Sequence, residues 1–253
     1  MRKSLLTFLL CLCFSLAARA GLFGPSLVLA NAATGGGGGG FDWTAAGLTH
    51  YWTLNESAGN ARVDTKGSAN LSEQGGTVPS AAGLHGNCAD FTTTTHYLDN
   101  ALTTDPTGGW SLSFWVKVHD ASLAGADSGW IQIFGGDSAL AENLNAGSPY
   151  LLEGVYAGPG NGCMSDPINT LDTWHLIVLE DDEMGNGLAQ SIDGGSIDIG
   201  SCTASADVGV IVLNASHVTL GLYLTHIGLY NKPLNQSQIT QLWNGGAGVF
   251  YTP

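Results

Sequence analysis

Charge is scarce in this chain. Of its 253 residues 11% are charged, and Lys and Arg together number 7 against 21 Asp and Glu. So few cations cannot neutralise a phosphate backbone or hold an anionic bilayer, which excludes nucleic-acid binding and adhesion to anionic lipid. No Cys-x-x-Cys pair occurs, so zinc and dithiol redox chemistry have no residues to rest on. The seven histidines fall in separate segments without His-x-His or His-Glu-x-x-His spacing, and there is no Gly-x-Ser-x-Gly elbow. Counting alone leaves a Ser/His/Asp set open, but nothing in the spacing favours one, and the chain is not expected to be an enzyme.

Long apolar runs are confined to the N-terminus. Met1-Arg2-Lys3 is basic, the stretch from Ser4 to Ala17 is apolar, and Ala18-Arg19-Ala20 is a small-x-small cleavage pattern. Residues 1–20 therefore read as a secretory signal peptide, with Ala30-Asn31-Ala32 an alternative cut after residue 32. A retained anchor is the competing reading, since Leu22 to Ala33 is also mostly apolar. Arg19 and Pro25 interrupt any single span, and the first run is shorter than the roughly 20 residues a bilayer needs. The expected location is secreted, periplasmic or at the cell surface, with a virion as a further possibility. Removal of residues 1–20 leaves four basic residues against all 21 acidic ones, a net charge of −17, which suits a cation, a neutral sugar or a basic partner.

What the chain does hold is glycine (37 residues) and apolar material (44%), the balance of many short strands joined by tight turns. Residues 21–40 form an apolar and oligo-Gly linker ending in the run Gly35 to Gly40, and residues 41–253 form one domain. In Trp110 to Val118, apolar residues alternate with Ser111, Ser113, Trp115 and Lys117, the period of a strand with one buried face. Similar signals over 48–54, 88–91, 96–98, 129–134, 150–156, 174–180, 188–192, 208–213, 218–221 and 225–230 predict two packed antiparallel sheets. One helix is predicted, from Asn235 to Asn244. Asn235 is the N-cap, Gln238 completes a capping box, and Gly245-Gly246 ends it. The three cysteines beyond the signal are Cys88, Cys163 and Cys202. Cys163 and Cys202 lie in Gly-rich loops and are expected to pair, which would add ~4 kcal/mol in the chain-entropy picture and leave Cys88 beside a strand.

In order, Leu48-Thr49-His50-Tyr51-Trp52-Thr53-Leu54-Asn55-Glu56, Trp110-Ser111-Leu112-Ser113-Phe114-Trp115-Val116-Lys117, Thr173-Trp174-His175-Leu176-Ile177-Val178-Leu179, Ser191-Ile192-Asp193-Gly194-Gly195 and Ile227-Gly228-Leu229-Tyr230-Asn231-Lys232-Pro233-Leu234 resemble the concanavalin A-like lectin/glucanase superfamily, in its LamG-like jelly-roll branch. The resemblance runs from about Gly47 to Tyr251. It implies an all-β fold, a two-sheet antiparallel jelly-roll sandwich with one short C-terminal helix. It also implies possible calcium, with Asp64 of Val63-Asp64-Thr65-Lys66-Gly67 as the metal ligand, although Thr225 or His226 stands where the family often has an acidic residue. Glycosidases of the superfamily carry Glu-x-Asp-x-Glu along one strand. Here Glu180-Asp181-Asp182-Glu183 are consecutive, which splits them between two faces and predicts a solvated hairpin tip rather than a catalytic pair.

Sugar recognition needs an exposed ring to lie against a pyranose and fixed polar groups for its hydroxyls. Trp115, on the polar side of its strand beside Lys117 and His119, and Trp130, Tyr150 and Tyr156, at strand ends beside long loops, are the candidate ligand contacts. The expected role is a non-catalytic recognition or adhesion module, with a glycan or surface polysaccharide as partner on the strength of the resemblance. The alternative is a structural or protein-interaction component, such as a virion fibre or decoration protein or a cell-surface protein, and a glycoside hydrolase comes third.

Overall fold

Period-2 alternation organises the molecule, and one sheet follows it to burial on both faces. The structure is a computed structural model that describes residues 40–102, 109–119, 128–134, 141–143, 151–153, 165–167, 170–181, 188–199, 208–214 and 221–253. Its strands in chain order are β1 (Leu48–Trp52), β2 (Ser72–Gln74), β3 (Ser80–Ala82), β4 (Asn87–Asp90), β5 (Tyr97–Ala101), β6 (Trp110–Val118), β7 (Ser128–Phe134), β8 (Ala141–Asn143), β9 (Leu151–Glu153), β10 (Ser165–Pro167), β11 (Trp174–Asp181), β12 (Leu188–Ile192), β13 (Asp198–Ile199), β14 (Val208–Leu213) and β15 (Leu222–Tyr230). The first sheet runs β13-β12-β11-β6-β15-β4-β3, with β1 also on β15, and the second runs β10-β9-β8-β7-β14-β5-β2. Every pairing is antiparallel, so the expected all-β two-sheet sandwich is what forms.

Between the sheets, Leu112, Phe114, Val116, Ile177, Leu179, Leu222, Leu224, Ile227 and Leu229 of the first meet Leu98, Ile131, Ile211 and Leu213 of the second. Burying side chains of this size stabilises the fold by about 2–3 kcal/mol each before entropy is counted. Strand β15 reaches this core on both sides of a bulge. Against β6, Thr225 pairs with Trp115 and Gly228 with Ser113, so His226 and Ile227 together oppose one residue. The bulge changes the phase of alternation, putting Leu222 and Leu224 before it, and Ile227 and Leu229 after it, on the same inner face. The expected strand over 225–230 lies within β15, which starts earlier, at Leu222; of the expected strand over 218–221, residues 218–220 lie outside the described residues. His226 is itself left-handed (φ 49°) and buried, with Nδ1 3.1 Å from the Tyr51 hydroxyl and Nε2 3.3 Å from the His85 carbonyl. Burial brings its pKa down to about 4.

The first sheet's outer face is covered as well. Helix α1 (Gln236–Trp243) has the expected capping box at Asn235 and Gln238, and the left-handed Asn244 ends it. Ile239 and Leu242 of α1 pack with Leu234, Phe41, Leu48, Tyr51, Trp115, Leu176, Val178 and Tyr230 into a second core. Gly194 (φ 71°) lets this cover close, because a Cβ there would lie 2.8 Å from the Trp243 Cβ. Among the described residues, no helix is long and apolar enough to cross a membrane.

This cover corrects the expected solvated tip at Glu180 and Asp181, while Asp182 and Glu183 lie outside the described residues. Glu180 and Asp181 belong to β11 and are buried, 5% and 3% exposed. The Leu234 N–H donates to Glu180 Oε1 (3.1 Å) and to Ser111 Oγ (2.9 Å), which pins the segment leading into α1 to the sheet. Burial outweighs these donors and pushes the Glu180 pKa up to about 7, from 4.5. A carboxyl raised in the folded state holds its proton there while the unfolded chain ionises. Its stability contribution is complete below about pH 4.5 and is lost as pH rises to 7, a loss on the order of 3 kcal/mol. His226 acts with opposite sign: its contribution is complete above pH 6.5 and is lost as pH falls toward 4. Glu180→Gln keeps the acceptor without the ionisation. Denaturant titrations should show the variant gaining on the wild type by about 2–3 kcal/mol between pH 4.5 and 7.5; a pH-independent difference would reject Glu180 as the titrating group.

Candidate functional site

Cross-strand register on the outer face of the first sheet arranges its side chains in rows. One row is Leu176-Trp115-Thr225, across β11, β6 and β15. Trp115 is 2% exposed, stacks on Trp243 at 5.3 Å between ring centroids and lies beside Phe250. This corrects the expectation for Trp115. Its strand face is polar in sequence, but α1 and the C-terminal residues close over it, so the ring is core and no ligand reaches it. Trp130 lies in β7 of the second sheet, and Tyr150, Tyr156, Cys163 and Cys202 fall outside the described residues. Cys88 is a free, buried thiol whose pKa burial pushes up to about 11.

The next row is Trp174-Lys117-Tyr223-Asp90, one residue from each of β11, β6, β15 and β4. All four are half-buried: Trp174 packs on the margin of the second core, and the row stays partly open where α1 has covered its neighbour. The Lys117 ammonium lies 5.3 Å from the Trp174 ring centroid and 4.7 Å from that of Tyr223, a cation held between two aromatic rings. Burial, then the charge of Asp90, raises the Tyr223 pKa, while a hydrogen bond with Thr92 lowers it. At the rim, His119 Nδ1 sits 2.7 Å from Asp172 Oδ1, and its ring meets Tyr223 edge-on at 6.0 Å. Rings, an ammonium, carboxylates and an imidazole on one rigid sheet face form a surface that can support an apolar ring and hydrogen-bond its polar edge. Lys117 and His119 lie on the same strand as Trp115, but the rings of the Lys117 row, Trp174 and Tyr223, come from neighbouring strands and are invisible in the sequence without the register.

Asp64 is differently placed from a metal ligand. Its Oδ1 accepts from the N–H groups of Tyr51 (3.0 Å), Lys66 (3.1 Å) and Gly67 (2.7 Å), and its Oδ2 from Ala69 N–H (3.0 Å) and His50 Nδ1 (2.6 Å). Burial would raise its pKa, but the donors of His50, Gly67, Tyr51 and Ala69 prevail and bring it down to about 2. A calcium ion would need the lone pairs these donors occupy. Asp64 closes a turn, and among the described residues no three His, Cys, Asp or Glu side chains converge as a metal site.

A second constellation lies at the ends of β11 and β12. His175 Nε2 is 2.7 Å from the exposed Thr170 Oγ1, His175 Nδ1 is 2.7 Å from Asp193 Oδ2, and Leu176 N–H donates to Asp193 Oδ1 at 3.0 Å. A carboxylate only accepts, so Nδ1 carries a proton, and in the tautomer with that proton alone Nε2 is placed to accept from the Thr170 hydroxyl. These are the distances of a nucleophile, base and acid set, and they also tie the turn before β11 to the turn after β12.

Core and open row are separable by truncation. Trp115→Ala should cost about 3–5 kcal/mol as a fully buried ring is lost, whereas Trp174→Ala, at a half-buried ring on the margin of the second core, should cost about 1–2 kcal/mol. Urea unfolding of both variants tests this, and equal losses would reject the placement of Trp174 on an open surface.

No protein-family model matches the chain. No curated protein sequence matches it either. Among solved structures it is similar to Trypanosoma rangeli sialidase in complex with 2,3-difluorosialic acid, with a TM-score of 0.58 and 14% identity over 80% of this chain and 34% of that one. It is similar to the ligand binding domain of botulinum neurotoxin serotype D in complex with N-acetylneuraminic acid, with a TM-score of 0.58 and 14% identity over 79% of this chain and 51% of that one. The receptor binding domain of the botulinum neurotoxin C/D mosaic serotype follows, at 0.56 and 13%, over 79% of this chain and 51% of that one. The chain thus spans about a third of the sialidase and half of the neurotoxin chains, and at these identities the likeness establishes a shared β-sandwich fold.

Proposed function

We propose that the chain is an exported, non-catalytic carbohydrate-recognition module of the concanavalin A-like kind, in its LamG-like branch, and that the Trp174-Lys117-Tyr223-Asp90 row is its binding surface. The observation that carries this reading is the row itself: two half-buried rings flanking a cation, left open beside a row that is fully covered. Trp174 and Tyr223 stand two strand spacings apart, about 10 Å, enough to support two linked pyranose rings. Sugars in complex with two of the structural neighbours support the choice of ligand class. Glu180 and Asp181, held within β11, offer no pair of carboxylates flanking a glycosidic bond.

Glycan-array screening of the full chain tests the proposal. Selective binding is expected, reduced at least tenfold in Trp174→Ala and in Tyr223→Ala while their melting temperatures stay within a few degrees of the wild type. A blank array from a stable oligomer would instead favour the structural or protein-interaction reading.

A second reading, ester hydrolysis, is favoured by the Thr170, His175 and Asp193 set. In it Thr170 Oγ attacks an ester carbonyl while its proton passes to His175 Nε2, the alcohol leaves with that proton, and water then hydrolyses the acyl-threonine. On this reading the wild type turns over 4-nitrophenyl acetate and the near-isosteric Thr170→Val is at least 100-fold slower. Equal rates for the two would remove it.

A further inference from the structure

Beyond residue 20 the chain has four cations, and their placements differ. Arg62 is buried and donates to the carbonyls of Glu56, Ser57 and Val78 and to Glu73 Oε1. Lys66 lies 5.8 Å from the Tyr251 ring centroid, and Lys232 is exposed beyond β15. Lys117 alone occupies the open row. Among the described residues no carboxylate lies within ion-pair distance of it. Of the described acids nearby, Asp172 is engaged with His119, and Asp90 with the Thr92 N–H (2.9 Å) and hydroxyl.

We propose that this row takes an acidic sugar, with the ligand's carboxylate on the Lys117 ammonium and its ring against Trp174 or Tyr223. The inference rests on the carbohydrate reading and narrows it to a chemical class. Ring quadrupoles compensate an ammonium only in part, since such contacts are weaker than a charge-assisted hydrogen bond to a carboxylate. An ammonium also carries three donors, and ring faces satisfy none of them as an oxygen would. A hydroxyl of a neutral sugar could accept one hydrogen bond, but it would leave the charge uncompensated. The overall negative charge does not forbid this pairing. At physiological ionic strength repulsion from carboxylates beyond about 8 Å is largely screened, while a contact pair at the sheet face is screened much less.

Calorimetric titration of the full chain with 3′-sialyllactose, its methyl ester, lactose, and digalacturonic acid tests the inference. The expected result is at least tenfold preference for an acidic ligand over its neutral counterpart. Lys117→Met keeps the aliphatic stem between the rings, so it should keep the melting temperature while losing that preference, and Lys117→Arg should retain it. Equal affinity for lactose and 3′-sialyllactose, unchanged in Lys117→Met, would overturn the acidic-sugar assignment and leave carbohydrate recognition standing. Absence of binding to any sugar, here and on the glycan array, would remove both.

Discussion

The bulge at His226 is the constraint on which the rest of the sheet depends. Strand β15 contributes Leu222, Leu224, Ile227 and Leu229 to the core between the sheets, and an unbroken alternation would turn the last two outward. One extra residue restores the phase. It also divides the edge of β15 between two partners, β4 pairing with Tyr223 and Leu224 and β1 with Ile227 to Tyr230. The cost is a left-handed, buried histidine, held by the Tyr51 hydroxyl and the His85 carbonyl and packed against Phe250 at 4.1 Å.

From that phase follows the character of the outer face. Tyr223 and Thr225 point outward before the bulge, Gly228 and Tyr230 after it. The end bearing Tyr230, Ser111, Ser113 and Glu180 is sealed by Leu234, α1 and the C-terminal residues. Polar groups trapped there have partners: Ser111 with Leu234 N–H, Ser113 with the Tyr230 hydroxyl at 3.3 Å. At the other end the cover stops, and the row holding Lys117 remains open. A sheet buried on one face and sealed over part of the other thus leaves a defined strip with rings at fixed spacing, rigid because it stands on strands rather than loops.

Two clusters that invite functional readings are explained by local geometry. Asp64 organises a turn through five N–H donors, and Arg62 ties Glu56, Ser57, Glu73 and Val78 together from within the protein. Each satisfies backbone groups that the irregular segments on either side of β2 leave without a ladder. The β-sandwich likeness to sialidase and neurotoxin domains is compatible with such local solutions, because the shared architecture constrains the sheets and leaves the loops free.

Much of the fold was legible in the residues. Alternation in Trp110 to Val118 and Trp174 to Glu180, and the capping box at Asn235 and Gln238, follow from local stereochemistry alone, so sequence by itself determined the strands of the core, their inward residues and the closing helix. Short edge strands such as Ser72–Gln74, Ser80–Ala82 and Asp198–Ile199 escaped, having too few residues to show a period. Only the tertiary structure decided which outward residues meet water. Trp115 and Lys117 sit two apart on one face of one strand, and nothing local distinguishes their fates. A helix some 120 residues later buries the first, and register with β11 and β15 gives the second its two rings. Burial on an outward face is set by contacts between segments distant in sequence, so periodicity reveals the face but not what covers it.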